Sequence, residues 1–167
     1  MKPEDTTSLA LRDARLHEEL WRDGEWQQLW LSLQRRPWKS LAICPAGAGV
    51  KRDFAVTVAV VLARTGMLHL GAPIQVADAT SVQLSDVVDL LAEVKTCSAR
   101  GECVLVALAP LSESPVSLTL AQSTDYTLLC ALLERMSSAQ AKETVNKIGK
   151  ERFLGTIVFR PDQLPSR

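Results

Sequence analysis

The sequence predicts a doubly wound α/β domain, with a mostly parallel sheet of about five strands and helices on both faces. Two observations indicate this. Short segments that are apolar almost throughout recur along the chain, and segments with helical spacing of apolar residues lie between them. Strands that are apolar on both faces are typical of a parallel sheet covered on each side by helices. Ligands of such domains usually bind at the carboxyl ends of the strands.

The elements follow one another in a regular order. Disordered tails are expected at 1–8 and 161–167, which leaves a single domain at 9–160. A helical segment at 9–36 comes first, interrupted at Gly24 and ended by Pro37. Apolar runs then predict strands at 40–44, 73–77, 102–108, 126–132 and 153–159. Helices are predicted between them at 52–64, from Ser81 onward, at 116–122 and from Ser137 to about Lys150.

Three helix ends carry specific signals. Gly66 stands where a glycine after the last helical turn would end the first of these helices. Ser81 is a candidate N-cap for the second helix. That helix would bury an apolar face made of Leu84, Val87, Val88, Leu91 and Val94. Ser137 and Gln140 have the spacing of a capping box.

The composition excludes several classes of protein. The 167 residues are 47% hydrophobic and 23% charged with a net charge of zero, so no global basic field favours nucleic acid as a partner. The longest uncharged apolar run, at 54–63, is far shorter than the roughly 20 residues that span a bilayer. The polar N-terminus does not have the pattern of a signal peptide, so we expect a cytoplasmic protein.

The four cysteines do not form a metal-binding pattern. They have no CxxC spacing, and the chain contains only two histidines; the cysteines are Cys44, Cys97, Cys103 and Cys130. Reduced, buried thiols and no metal site are therefore expected. Whether Cys44, next to the glycine-rich segment, is exposed enough to react is left open.

The segment from 45 to 53, PAGAGVKRD, has the layout of a phosphate-binding loop between a strand and a helix. Gly47 and Gly49 would let the backbone turn sharply and approach a phosphate. A working loop ends in Gly-Lys-Ser/Thr, whose lysine contacts the β/γ-phosphates and whose hydroxyl binds magnesium. The corresponding residues here are Lys51, Arg52 and Asp53. The glycines of such a loop are thus present without the residues that do its chemistry.

Asp53 lies at the predicted start of the helix, where a bound phosphate would meet free N–H groups and the positive end of the helix dipole. A carboxylate there competes with phosphate for the same groups. We therefore predict that Asp53 caps this helix. The side chain of Lys51 would further restrict a loop that needs glycine at that position.

With these patterns, residues 25–160 resemble the cytoplasmic domain of the bacterial tyrosine kinases of capsule and exopolysaccharide synthesis, relatives of the ParA/MinD P-loop ATPases. The strand at 73–77 runs into the family's Asp-x-Asp motif, of which Asp78 is kept and the second aspartate is Thr80. The Walker B strand and its following proline, Pro110, are also kept. Ala107 stands where that motif has its magnesium-binding aspartate.

Two further family features are lost. The E-x-x-R-x-x-R pattern, which serves ring assembly in the family, keeps Glu25 but has Gln28 and Leu31 in place of the arginines. The autophosphorylated tyrosine cluster is missing, because Tyr126 is the single tyrosine and lies in a predicted strand. The resemblance therefore implies a degenerate P-loop NTPase-like domain with no catalytic residues and no cofactor. Weak binding of ATP or ADP, and a homodimer, are left open.

A cluster of tryptophans and basic residues precedes the first strand. Its members are Trp21, Trp26, Trp30, Arg35, Arg36 and Trp38. Two interpretations are open. The tryptophans could pack the N-terminal helix on the sheet, or they could form a partner-binding surface, since tryptophan and arginine are enriched in interface hot spots.

Three functions follow from these alternatives. The first is a non-catalytic regulator or scaffold in assembly or export of a surface polysaccharide, recruited to the inner membrane by a protein partner. The second is an adaptor of the ParA/MinD or cell-division-inhibitor type that binds a filament-forming partner. The third is a divergent ATPase in which Arg52 and Asp78 keep a residual function.

Overall fold

The computed structural model describes residues 24–160, which form a five-stranded sheet in the order β2-β3-β1-β4-β5. The strands are β1 (Ser40–Pro45), β2 (Ile74–Ala79), β3 (Cys103–Leu108), β4 (Tyr126–Leu132) and β5 (Phe153–Phe159). The helices are α1 (Gly24–Leu33), α2 (Phe54–Leu70), α3 (Val87–Ala99), α4 (Val116–Ser123) and α5 (Ser138–Ile148), with 3₁₀ turns at Leu84–Asp86 and Lys150–Arg152. Every strand pair is parallel, which confirms the predicted fold class. The predicted tails, the first part of the helical segment and Trp21 lie outside the described residues.

Strand β1 lies at the centre of the sheet, between β3 and β4, and all six of its residues are buried. β2 and β5 lie at the two edges and are only partly buried. Because a central strand is covered on both faces, its residues on both faces must be apolar. This is why the central strands are continuous apolar runs in the sequence.

Two apolar clusters cover the two faces of the sheet. On one face α1 and α2 pack through residues that include Trp26, Trp30, Val58 and Leu62. On the other face α3, α4 and α5 pack through residues that include Val94, Leu120 and Ile148. The doubly wound arrangement follows from this division of helices between the faces.

The predicted end of α2 at Gly66 is wrong. The helix continues to Leu70, and Gly71, with φ of 63°, is the C-cap whose N–H donates to the carbonyl of Met67. Gly66 lies within the helix, where a Cβ would come within 2.4 Å of both Ile74 Cδ1 and Trp30 Cη2. The glycine is therefore required by the close approach of Trp30 and β2, and not by a turn.

The predicted start of α3 is also wrong. Ser81 does not cap the helix, which begins after the 3₁₀ turn with no side-chain capping hydrogen bond. Val87 and Val94 are buried, whereas Leu84 is 75% and Val88 is 73% exposed. The tighter 3₁₀ turn places Leu84 out of phase with the buried stripe. Val88 follows Val87 by one position, which is about 100° around the helix.

The capping box of α5 is confirmed. The N–H of Gln140 donates to Ser137 Oγ at 3.2 Å, and the N–H of Ser137 donates to Gln140 Oε1 at 3.2 Å. Two N-terminal N–H groups of the segment are thereby satisfied by side chains, as the spacing predicts.

The substitution Gly66→Ala tests the contact between α1 and α2. We expect it to lower the free energy of unfolding by about 1–3 kcal/mol, because the buried Trp30 ring must move to admit the methyl group. Urea unfolding followed by circular dichroism measures this. Gly155→Ala is the control, since its Cβ would meet nothing within 4 Å. Equal stability of the two variants would contradict the assigned role of Gly66.

Candidate functional site

The glycine-rich loop at 46–53 follows β1 at the carboxyl edge of the sheet, as the sequence predicts. The loop is fixed at its start: the N–H of Ala46 donates to the carbonyl of Cys130 at 2.9 Å, and its carbonyl accepts from Thr144 Oγ1 at 3.2 Å. These two contacts join the loop to β4 and to α5. The start of the loop is thus anchored on two neighbouring elements.

The two loop glycines have different physical roles. A Cβ on Gly47 would lie 2.8 Å from Gln140 Oε1 and 3.2 Å from Met136 Cγ, so it would push the Gln140 side chain away from its capping hydrogen bond with Ser137. Gly49 has φ of 85° and open space around its Cβ position, so it is required by backbone conformation. Contacts and backbone conformation within the chain therefore explain both glycines without a bound phosphate.

The last three residues of the loop lead into α2. Lys51 and Arg52 are exposed, and the carbonyl of Lys51 accepts from the N–H of Phe54 at 3.0 Å. Asp53 occupies the N-cap position, but its side chain makes no capping hydrogen bond, so the predicted cap is wrong. Its backbone angles of −83° and 0° lie in the helical region, whereas a capping side chain acts from an extended backbone.

Ala107 lies at the end of β3, next to Ile43 of β1 and Asp78 of β2. It is 0% exposed and belongs to the same apolar cluster as Phe54 and Ala55 at the start of α2. Magnesium in proteins is held by oxygen ligands, and a methyl group supplies none. The surroundings of this position are those of a hydrophobic core.

Asp78 and Thr80 form a closed local turn. Asp78 Oδ1 accepts from the N–H of Thr80 at 3.0 Å and from Thr80 Oγ1 at 2.7 Å. Thr80 thus binds Asp78 through both its N–H and its hydroxyl. Both hydrogen bonds hold the end of β2, which agrees with the turn role that an aspartate commonly has at a strand end.

A cavity of about 110 Å³ lies between the start of the loop, residues 111–112 and α5. It is smaller than the roughly 300–1,000 Å³ of common ligand pockets. Lys147 borders it, and its Nζ lies 2.7 Å from Glu143 Oε1. The hydrogen bond from Lys147, together with its charge, lowers the pKa of the Glu143 carboxyl. The lysine nearest to the loop cavity is therefore already paired with a carboxylate.

The structure contains no group of three or more histidine, cysteine or acidic side chains able to hold a metal, as far as residues 24–160 are concerned. All four cysteines are free thiols. Cys44 and Cys130 are buried as predicted, while Cys97 and Cys103 are half-buried. Burial raises the pKa of Cys44 from 9.0 to about 12. Burial, and to a lesser degree the charge of Cys44, also raises the pKa of Cys130.

The tryptophans of the predicted partner surface belong to the core. Trp26, Trp30 and Trp38 are 6%, 0% and 8% exposed, so the interface interpretation is wrong for these three. Trp30 and Trp38 meet edge to face with ring centroids 5.8 Å apart. Arg35 and Arg36 remain exposed, and the Arg36 guanidinium lies 5.8 Å from the centroid of the Tyr126 ring.

Sequence reasoning missed a cleft of about 760 Å³ at the opposite, amino-terminal edge of the strands. Lys39, Glu102 and Asp125, which border it, each come directly before a strand. Charged residues at several strand starts were the available signal, because the starts of parallel strands share one edge of the sheet.

Within residues 24–160, none of the helices has the length and apolar character needed to cross a membrane.

Comparisons with known proteins support the fold. No family model matches the sequence, and no curated protein matches it. Among solved structures, the chain is similar to the chimerical protein CapA2B2, with a TM-score of 0.62, 11% identity and coverage of 84% of each chain. It is also similar to the BceF tyrosine kinase domain, with a TM-score of 0.58, 12% identity and coverage of 85% of this chain and 76% of that one. At these identities the likeness shows a common α/β fold.

The variant Ala107→Asp tests the apolar character of the end of β3. We expect the variant to lose roughly 2 kcal/mol or more of stability, because the carboxylate enters a fully buried apolar cluster. Thermal and urea unfolding measure the loss. Ala92→Asp, on the exposed face of α3, is the control for the same change of side chain. A variant as stable as Ala92→Asp would mean that this position tolerates a metal-binding carboxylate.

The buried thiols predict a dependence of stability on pH. The folded chain holds the Cys44 proton more tightly than the unfolded chain, since its pKa is raised from 9.0 to about 12. The resulting stabilisation is complete below the unfolded pKa and is lost as the pH rises from 9.0 toward about 12. Unfolding free energies across this range should fall more steeply for the wild type than for Cys44→Ala. Parallel curves would contradict the prediction.

Proposed function

We propose that this chain is a non-catalytic, P-loop-like protein that acts as a regulator or scaffold through contacts with other proteins. The observation that carries this proposal is Ala107. In a P-loop enzyme the carboxylate at the end of this strand helps to hold magnesium, and here the position is a fully buried alanine within the apolar cluster that includes Phe54 and Ala55. Metal binding at this point would need a ligand that the strand does not carry.

The loop itself supports the same conclusion. Phosphoryl transfer depends on positioning the phosphates and neutralising their charge. The hydroxyl that would bind magnesium is replaced by Asp53, and the cavity beside Gly47 measures about 110 Å³. Arg52 is exposed, and a single exposed guanidinium does not replace a buried lysine within a cradle of backbone N–H groups.

Exposed apolar side chains at the carboxyl edge support a role in protein contacts. Leu84 and Val88 are four residues apart and are 75% and 73% exposed. They follow β2, on the same edge of the sheet as the glycine-rich loop. Large apolar side chains that are exposed together commonly mark interaction sites.

The sequence resemblance to the capsule and exopolysaccharide kinases, together with the structural likeness to the BceF tyrosine kinase domain, supports a place in assembly or export of a surface polysaccharide. In this proposal the protein works in the cytoplasm and a membrane-associated partner recruits it to the inner membrane. Capture of partners from the native cell tests the pathway. Recovery of a polysaccharide co-polymerase supports it, whereas recovery of a division or cytoskeletal protein favours an adaptor of the ParA/MinD or cell-division-inhibitor type.

Nucleotide titrations test the loss of catalysis. We expect no magnesium-dependent binding of ATP or ADP at micromolar concentration by calorimetry, and no phosphate release above the blank. The variant Arg52→Ala should behave as the wild type does, because the proposal gives Arg52 no catalytic role. An active P-loop ATPase assayed in parallel is the positive control. Magnesium-dependent turnover that Arg52→Ala abolishes would replace this proposal with a divergent ATPase.

A further inference from the structure

The cleft at the amino-terminal edge of the sheet is bordered by the segments that lead into four of the five strands. These segments contribute residues between 34 and 39, 70 and 73, 100 and 103, and at 125 and 126. The cleft is open to solvent and measures about 760 Å³. It lies at the end of the strands opposite the glycine-rich loop, so the loop residues do not take part in it.

Three cationic side chains line this cleft: Arg36, Lys39 and Arg100. Lys39 Nζ donates one hydrogen bond, to the carbonyl of Gly101 at 2.9 Å. The Arg100 side chain forms no hydrogen bond or ion pair with another residue in the range 24–160. Much of the hydrogen-bonding capacity of these cations is therefore available to a ligand.

Arg36 is exposed and lies against an aromatic ring. Its guanidinium lies over the ring of Tyr126, 5.8 Å from the ring centroid. A guanidinium presents its N–H groups in a planar fork, and that fork matches the two oxygens of a carboxylate. Arg36 therefore favours a carboxylate, which offers two oxygens, over an anion that offers a single contact atom.

Two carboxylates also border the cleft, and they differ in their surroundings. Asp125 Oδ2 accepts from the N–H groups of Lys39 at 2.7 Å and Ser40 at 3.0 Å. The N–H of Asp125 in turn donates to Ser40 Oγ at 2.9 Å. Asp125 therefore serves to join the starts of β1 and β4. Glu102 is the remaining carboxylate, so the cations outnumber the carboxylates by three to two, and the cleft has a small positive excess in a chain whose net charge is zero.

The lining also includes apolar surface. Leu70 is 47% exposed and borders the cleft together with Pro37, Ala72 and Pro73. A ligand that fits this lining carries carboxylates for the arginines and apolar groups for the leucine and prolines. The open shape suits an extended chain segment more than an enclosed small molecule.

We propose that this cleft binds an acidic segment of a partner protein, one that combines carboxylate and apolar side chains. The inference rests on the proposed function for its role, since it names the partner chemistry of a protein-binding scaffold. A nucleic acid fits less well, because bases bind by stacking on exposed aromatic rings. The two aromatic residues of the lining are Trp38, which is buried, and Tyr126, which lies under the Arg36 guanidinium. The contact would use the edge of the sheet opposite the glycine-rich loop at 46–53.

A fluorescein-labelled peptide of alternating glutamate and leucine is the probe, and the same peptide with glutamine in place of glutamate is its reference. Fluorescence anisotropy should show that the glutamate peptide binds and the reference does not. Binding should weaken as salt is raised, because the contacts are between charges at the surface. The combined variant Arg36→Gln and Arg100→Gln should weaken binding about tenfold, from two exposed charge contacts of modest strength each.

Arg135→Gln is the matched control, since Arg135 is exposed and lies beyond the opposite, carboxyl end of β4. This variant should bind the peptide as the wild type does. Amide chemical shifts locate the contact, and the peptide should move those of residues 100–103, 125 and 126. Equal binding of both peptides would overturn the proposal. So would an equal loss in Arg135→Gln, or tighter binding of a single-stranded oligonucleotide of the same charge.

The failure of the proposed function can be told apart from the failure of this inference. The same titration is repeated with magnesium and ATP, and phosphate release is followed in the same sample. ATP turnover with peptide binding retained would refute the non-catalytic role and leave the cleft assignment intact. Absence of both turnover and peptide binding would refute the cleft assignment alone.

Discussion

The burial of β1 on both faces and both edges is the constraint on which the rest of the structure depends. All six of its residues are buried, and it pairs with β3 on one side and β4 on the other. Its start is tied to Asp125 through Ser40, and the loop that follows it is tied to Cys130 through Ala46. A strand held in this way fixes the positions of the segments at its amino-terminal and carboxyl-terminal ends. The glycine-rich loop at one end and the basic cleft at the other are positioned by the same six residues.

At the carboxyl edge, three positions that the sequence resemblance marks as ligand-binding make contacts within this chain. Gly47 packs against Gln140, Asp78 accepts two hydrogen bonds from Thr80, and Ala107 lies in the core under α2. Intramolecular contacts thus account for these residues as structural parts of the domain. A glycine-rich loop after the central strand does not by itself specify a function, because function lies in the residues of the site and not in the fold.

The distribution of aromatic and basic residues separates core from surface within one short segment. The tryptophans of α1 and its following turn fill the space between that helix, α2 and β5, where Trp26 meets Phe159 at 5.4 Å. The basic residues beside them stay at the surface, and Arg36 lies against Tyr126. The tryptophans contribute hydrophobic stability and position α1, and Arg36, next to them, borders the cleft. Buried and exposed side chains therefore alternate between neighbouring residues of the same segment.

The sequence by itself determined the five strands, their parallel sheet, the alternating helices and the capping box of α5. These features depend on local patterns, since the period of apolar residues and the spacing of Ser137 and Gln140 act within a few positions. Only the tertiary structure decided that Gly66 admits Trp30, that Leu84 and Val88 face solvent, and that Asp53 makes no capping hydrogen bond. It also brought Arg36, Lys39 and Arg100 to one cleft. These features depend on the exact start and end of each helix and on contacts between residues that are distant in the chain. A local sequence pattern specifies neither.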